Sequence, residues 1–311
     1  MVQVSVVGGG VVGLTTALRL AESGYGVRCL RDVPVLDTVS ALAGGLWFPY
    51  RVEPRHRVVG WGLRGLERFA ALAGDPSSGV ALREGVLVER TTADRWWLEG
   101  VPAWREASPA EVPGGACGVV ARLPLVAMPV YLPWLEDRCR AAGVVLVDAR
   151  VEAVEDVAGD VVVVAAGLRS SALLPDLRVE PSRGQVALLA NPGLERWVVD
   201  DENPAGMAYV LPHPGWVVCG GTDVEGVVDD RPDPEVHEAI VARCRALVPA
   251  LERAEVLGSR VGFRPVAPAV SLEVRDVAGR PVVTNAGHGG AGITLSWGCA
   301  DEVVRLVDDV A

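Results

Sequence analysis

The sequence predicts an α/β protein in which a parallel-sheet domain, assembled from separate stretches of chain, is interleaved with a mixed-sheet α+β domain. Three observations carry this. A valine-rich run of strand length, residues 2–7, leads into Gly8-Gly9-Gly10-Val11-Val12-Gly13 and then a helical pattern. A second very apolar run, residues 161–165, ends in Ala166-Gly167 much later in the chain. Residues from about 45 to 135 are rich in Trp, Pro and Gly, and residues 184–284 alternate as short strands around one helical stretch.

The elements follow in order. Residues 14–23 read as a helix with Leu14, Ala17, Leu18 and Ala21 on one face, and Gly24 is placed to end it. Residues 27–31 form a second strand that closes on Asp32. A strand–loop–helix–strand unit of this kind belongs to a buried parallel sheet. Further helices are expected at 60–73, 132–142, 234–247 and, after a glycine-rich loop, 294–310. The expected division is a Rossmann-like nucleotide-binding domain at 1–45, 138–185 and 285–311, and a second domain at 46–137 and 186–284. No internal repeat is visible.

Composition narrows the chemistry. All 29 basic residues are arginine. Without lysine there is no Schiff-base enzyme, no Walker A loop and no kinase phosphate-pairing lysine. The bias (57 valines against two isoleucines) reads as GC-rich coding, and the exclusions hold regardless. A net charge of −11 argues against a nucleic-acid partner. The six cysteines show no CxxC pair, and the four histidines form no metal motif, so the expectation is free thiols and no metal. No basic signal region or membrane-length apolar run is present, and a cytoplasmic protein is expected.

Gly8-x-Gly10-x-x-Gly13 follows a strand and opens a helix. Gly8 would permit the turn, Gly10 the approach of a pyrophosphate, and Gly13 close packing of helix on strand. The helix start would offer amides and partial positive charge to phosphates. Asp32, 19 residues after Gly13, stands where a carboxylate meets a ribose hydroxyl. The loop alone does not separate FAD from NAD. Later, Asn285-Ala286-Gly287-His288-Gly289-Gly290-Ala291-Gly292-Ile293-Thr294 offers a second helix start to an electron-rich group such as a flavin ring. Arg264, in Val261-Gly262-Phe263-Arg264-Pro265, is stiffly held and able to grip a carboxylate bidentately. A surface ion pair is the other reading of that arginine.

Here the chain resembles the D-amino-acid oxidases, in the glutathione-reductase-type flavoprotein group that includes D-aspartate oxidase and glycine oxidase. The matching blocks are VVGGGVVGLTTAL at the start, AGGLWFPY at 43–50, DVVVVAAG at 160–167, SRGQ at 182–185, YVLP at 209–212, CGGT at 219–222, GFRPVAP at 262–268 and GHGGAGITLSWGCA at 287–300. The resemblance implies non-covalent FAD. Its contacts would be Gly8, Gly10, Val11, Val12, Gly13, Asp32, Thr38, Ser40, Ala43, Gly44, Gly45, Leu46, Gly167, Arg264, Gly289, Gly290, Gly292, Ile293 and Thr294. It implies that Arg264 and Tyr209 bind the substrate α-carboxylate and that the Gly290 carbonyl orients the amine. Leu46, Phe48 and Tyr50 would line the side-chain pocket, although core packing explains Phe48 and Tyr50 equally well. His288 would shape its loop. The implied reaction is oxidative deamination of a neutral D-amino acid, with hydride transfer to flavin N5 and oxygen as acceptor. Its products would be a 2-oxo acid, ammonia and hydrogen peroxide. A homodimer is common among relatives.

Two positions depart from the family pattern. Ala205 stands where many relatives carry a lid tyrosine, which suggests a more open entrance, and Ala267 stands where a second arginine occurs. D-Aspartate would need an added cation; Arg51 and His56 are near the right segment, in a run that reads equally as a solvated face. Glycine oxidation, an NAD-dependent dehydrogenase and non-catalytic dinucleotide binding are the remaining alternatives.

Overall fold

Valine-rich strands buried on both faces lie at the centre of the first of two sheets. A computed structural model describes residues 1–91 and 94–311. The chain opens with β1 (Gln3–Val7), α1 (Val11–Glu22) and β2 (Gly26–Arg31). Next come α2 (Arg55–Leu72), β3 (Val80–Glu89), β4 (Trp104–Glu106) and β5 (Cys117–Val126). α3 (Met128–Ala141) leads to β6 (Val145–Asp148), β7 (Val161–Val164), the short α4 (Ser170–Leu173) and β8 (Glu180–Ala190). β9 (Trp197–Asp200), β10 (Ala208–His213), β11 (Trp216–Gly220) and β12 (Val224–Glu225) precede α5 (Pro234–Leu247). β13 (Val256–Ser271), β14 (Val274–Val277), β15 (Arg280–Thr284) and β16 (Ala286–His288) complete the strands before α6 (Gly292–Asp308).

The six-stranded sheet has the order β14-β15-β7-β1-β2-β6. β1 pairs in parallel with both β2 and β7, as the opening unit requires. Alternate residues of β7 serve opposite cores. Val161 and Val163 pack with Val4, Val6, Leu14 and Leu18, while Val162 and Val164 pack with Leu173, Leu174 and Leu177. A strand covered on both faces reads as a continuous apolar run, which is why this one was visible. Each buried valine contributes roughly 1.5 kcal/mol or more.

The second sheet has ten strands, in the order β16-β13-β8-β11-β10-β9-β3-β5-β4, with β12 on β8. It is mixed, because β3 pairs in parallel with β9 while its other neighbours are antiparallel. α5 covers one part through Ile240, Val241 and Cys244. Its bounds match the expected 234–247, and Asp233 caps it by accepting from the Glu235 and Val236 amides.

Several helices start earlier than the sequence suggested. α1 begins at Val11 and α6 at Gly292, so the ends of both glycine loops are already helical. α3 begins at Met128 and carries Pro129 in its first turn, where proline loses no intrahelical bond, and Pro133 inside. α2 begins at Arg55, five residues before the expected start. The expected boundary at residue 284 does not follow the sheets. β14 and β15 lie before it yet belong to the six-stranded sheet, whereas β16 lies after it and pairs with β13 in the other. No helix among the described residues is long and apolar enough to cross a membrane.

Candidate active site

The carboxyl ends of β1, β2 and β7 open into one cavity of about 560 Å³, the place where open α/β sheets bind ligands. Gly8, Gly10, Val11, Val12, Asp32, Thr38, Ser40, Ala43, Gly44, Gly45, Leu46 and Gly167 all line it. Gly13 does not. A Cβ there would lie 1.9 Å from the Gly8 carbonyl oxygen, so its role is to let α1 seat against the loop. Ser40 Oγ accepts from the Val11 amide at 3.0 Å, which fixes the loop beside the helix start. Asp32 Oδ2 accepts from Arg169 Nη1 at 2.7 Å. Arg169 lines the same cavity and also donates to the Val151 carbonyl at 2.7 Å. Nothing local in the sequence flags Arg169, which reaches Asp32 across 137 positions.

The second glycine loop faces the same space. Gly289, Gly290, Gly292 and Ile293 line the cavity, but Thr294 does not. Its hydroxyl donates to the Phe48 carbonyl at 2.9 Å and accepts from the Phe48 amide at 3.0 Å. It therefore ties residues 46–50 to α6. The N-termini of α1 and α6 converge on one cavity, and neither carries an acidic residue in its first turn. Both present amides and partial positive charge to an anionic or electron-rich guest. His288 lines the cavity and is buried, and its Nε2 has no partner among the described residues. Burial lowers its pKa to about 4, so the imidazole is neutral near neutral pH.

Arg264, Tyr209 and Gly290 come together at the far wall. Arg264 lies on β13 opposite Ser182 of β8. It donates to the Thr222 carbonyl at 3.0 Å, and its Nη1 is 3.6 Å from Asp223 Oδ1. A Cβ on Gly184 would lie 2.6 Å from Arg264 Nη1, so glycine is needed beneath the guanidinium. Tyr209 pairs across β10 and β11 with Gly220, where a Cβ would lie 1.8 Å from the ring. Burial raises the Tyr209 pKa, though nearby Arg264 works the other way, and the hydroxyl stays protonated.

Leu46, Phe48 and Tyr50 line the cavity beside Val199, Met207 and Leu211. Phe48 stands edge-on to Trp97 with ring centroids 5.1 Å apart. The Tyr50 hydroxyl donates to Asp223 Oδ2 at 2.7 Å, and burial first, then this bond, raise its pKa. Ala205 is not part of the lining. It is exposed in a turn in which its amide donates to Asn203 Oδ1 at 2.9 Å. His213 was not anticipated; its Nε2 lies 3.0 Å from the Gly44 carbonyl and so holds the 43–46 stretch. Gly184 and Asp223 were also missed. Each sits in or beside a recognised block, SRGQ or CGGT, but its partner is on another strand. No group of three or more His, Cys, Asp or Glu among the described residues could hold a metal ion.

These residues fit FAD. A long guest with a pyrophosphate, a ribose and an electron-rich ring would meet a glycine cradle and helix start, a carboxylate, and a second helix start beside the unpartnered His288 Nε2. Comparison with known proteins agrees. A family model described as FAD dependent oxidoreductase matches residues 3–306. The chain is 46% identical over 307 residues to a D-amino-acid oxidase of Rubrobacter xylanophilus, covering 97% of this chain and 94% of that protein. It is 32% identical over 326 residues to human D-aspartate oxidase, covering 99% and 95%. Among solved structures, glycine oxidase from Geobacillus kaustophilus shares the fold, with a TM-score of 0.82 at 21% identity over 100% of this chain and 96% of that one. The chain belongs to the FAD-dependent oxidoreductase family. It is an enzyme, and its cofactor is FAD.

Proposed function

We propose that this enzyme oxidatively deaminates neutral D-amino acids. The observation that carries the reading is the placement of Arg264 and Tyr209 together on the wall of the FAD cavity, facing a pocket of Leu46, Phe48, Val199, Met207 and Leu211. The similarity to curated D-amino-acid oxidases supports it.

Each residue has a definite task in this account. Gly8, Gly10, Val11 and Val12 would hold the FAD pyrophosphate, and Asp32, steadied by Arg169, the adenosine ribose. Ala43, Gly44, Gly45, Leu46 and Gly167 would pass along the flavin, with Gly289, Gly290, Gly292 and Ile293 against its other side. When bound, FAD supplies the two-electron acceptor for the substrate Cα–H bond and the route from there to oxygen, which leaves as hydrogen peroxide. Arg264 would grip the α-carboxylate, with the Tyr209 hydroxyl donating to it. The Gly290 carbonyl would accept from the α-amine. Two anchors and a flat cofactor face leave one enantiomer with its hydrogen correctly aimed. The imino acid released would hydrolyse to a 2-oxo acid and ammonia. Tyr50 and Tyr209 stay protonated at neutral pH, so neither serves as a base. The six-stranded sheet with α1 and α6 would form the FAD half, and the ten-stranded sheet the substrate half. Six unpaired cysteines, five of them buried, support a reducing, cytoplasmic setting.

The test is stoichiometric. With D-valine or D-methionine the enzyme should release hydrogen peroxide and ammonia in equal amounts, and with the L-enantiomers neither. Turnover of the L-forms, or none of either form by FAD-loaded protein, would contradict the reading.

A further inference from the structure

Arg264, on the cavity lining, shares a carboxylate with a second arginine, Arg51, that does not itself line the cavity. Arg51 Nη1 lies 2.8 Å from Asp223 Oδ2, and Arg264 Nη1 lies 3.6 Å from Asp223 Oδ1. The same carboxylate accepts from the Tyr50 hydroxyl at 2.7 Å and from the Ser182 hydroxyl. The Asp223 side chain is only 9% exposed. Arg51 has one further acidic partner, Glu225, whose side chain is 69% exposed. Burial pushes the Asp223 carboxyl up, but Arg51, Ser182, Tyr50 and the charge of Arg264 outweigh this and hold it below the ordinary carboxylate range.

Two guanidinium groups and two hydroxyls thus surround a carboxylate much as they would an acidic ligand. Tyr50, one of those donors, lines the substrate cavity. Arg264 lines the cavity, with its Nη1 donating to the Thr222 carbonyl and its guanidinium packed over Gly184. Arg51, by contrast, is half-buried and paired to Asp223 and Glu225. A carboxylate on a substrate side chain beside Arg264 would approach the negative charge of Asp223 and would find Arg51 already paired.

Resting on the D-amino-acid reading above, we propose that Asp223 is a built-in counter-ion that sets the permitted charge of the substrate. It occupies Arg51, Tyr50 and Ser182, so that the wall offers Arg264 alone to an α-carboxylate and rejects a second carboxylate. Asp223 is a specificity-determining residue that acts through its neighbours. Removing its charge while keeping its shape frees Arg51 and turns the wall into a site for two carboxylates.

The experiment compares wild type, Asp223→Asn, Glu225→Gln and the double variant Asp223→Asn/Arg51→Gln, all FAD-loaded. One readout is kcat/KM for D-aspartate relative to D-valine. The other is the affinity for succinate relative to butyrate, followed by perturbation of the visible flavin spectrum without turnover. Asp223→Asn should raise both ratios by about tenfold or more, the scale of one charge-assisted contact. Glu225→Gln should raise them less, and removing Arg51 as well should abolish the gain. Unchanged or lowered ratios in Asp223→Asn, or a gain that survives without Arg51, overturn the proposal. Should Asp223→Asn fail to fold, the exposed Glu225→Gln decides: an unchanged succinate preference overturns the proposal and a raised one supports it. A wild type that turns over no D-amino acid defeats the functional reading instead, and the succinate and butyrate affinities still decide the role of Asp223.

Discussion

In the proposed reading, substrate binding turns on Arg264. Its guanidinium is held by the Thr222 carbonyl, undercut by Gly184 and balanced by Asp223, so its orientation is set before substrate arrives. Arg264→Ala should keep FAD yet lose roughly 3 kcal/mol of kcat/KM, about a hundredfold or more, as expected when a charge-assisted anchor is removed. Near-native kcat/KM in that variant would contradict the assignment. Arg264 and Tyr209 could be singled out as candidates because each stands in a short, ordered motif, and both line the cavity. Gly184 and Asp223 could not be given roles. What makes them matter is a contact across strands that local spacing does not encode.

His288 makes a second prediction at this scale. Its pKa is lowered from 6.5 to about 4 by burial. The unfolded chain therefore binds a proton that the folded chain refuses between those values. This group costs nothing well above pH 6.5, and stability falls as pH drops toward 4, by up to roughly 3 kcal/mol. Urea unfolding of wild type and His288→Gln between pH 7 and pH 4 checks this. The wild type should lose stability more steeply, and parallel curves would show that the imidazole is not held neutral.

Among the elements, α1 and α6 matter most, because their N-termini meet at one cavity. Their cores were legible from apolar periodicity, but their first turns were not. Val11-Val12-Gly13 and Gly292-Ile293 belong to the glycine-rich loops, where apolar periodicity carries no signal, so the expected starts at 14 and 294 are too late. Those first turns supply the amides. Gly13 is the packing hinge of α1, with 1.9 Å between a notional Cβ and the Gly8 carbonyl oxygen. Gly13→Ala should weaken FAD binding in a fluorescence titration and lower Tm, with overpacking costing about 1–3 kcal/mol. Unaltered FAD affinity would separate α1 packing from the cofactor site. α3 likewise begins before the expected 132, at Met128, with Pro129 in its first turn where it costs no intrahelical bond.

At the scale of the molecule, the α/β class and the interleaving followed from a valine strand at each end of a long insertion, and both sheets are present. What sequence could not give was the sheet to which each late strand belongs. β15 adds to β7 in parallel, pairing Val282 with Val162 and Val283 with Val163 and so extending both opposite cores. Nothing within Arg280–Thr284 announces this, because pairing is a long-range property. The outcome is a cavity bounded by the carboxyl edge of one sheet and by strands of the other, with Asp32 and Arg264 both on its lining.

The most direct test of that arrangement is anaerobic. Purified, yellow, FAD-loaded protein is mixed with D-valine in one cuvette and L-valine in another, and the visible flavin absorption is followed. The account predicts bleaching with the D-form only, with colour and hydrogen peroxide appearing when air is admitted. Bleaching with the L-form, or a flavin that stays oxidised with every neutral D-amino acid offered, would contradict it.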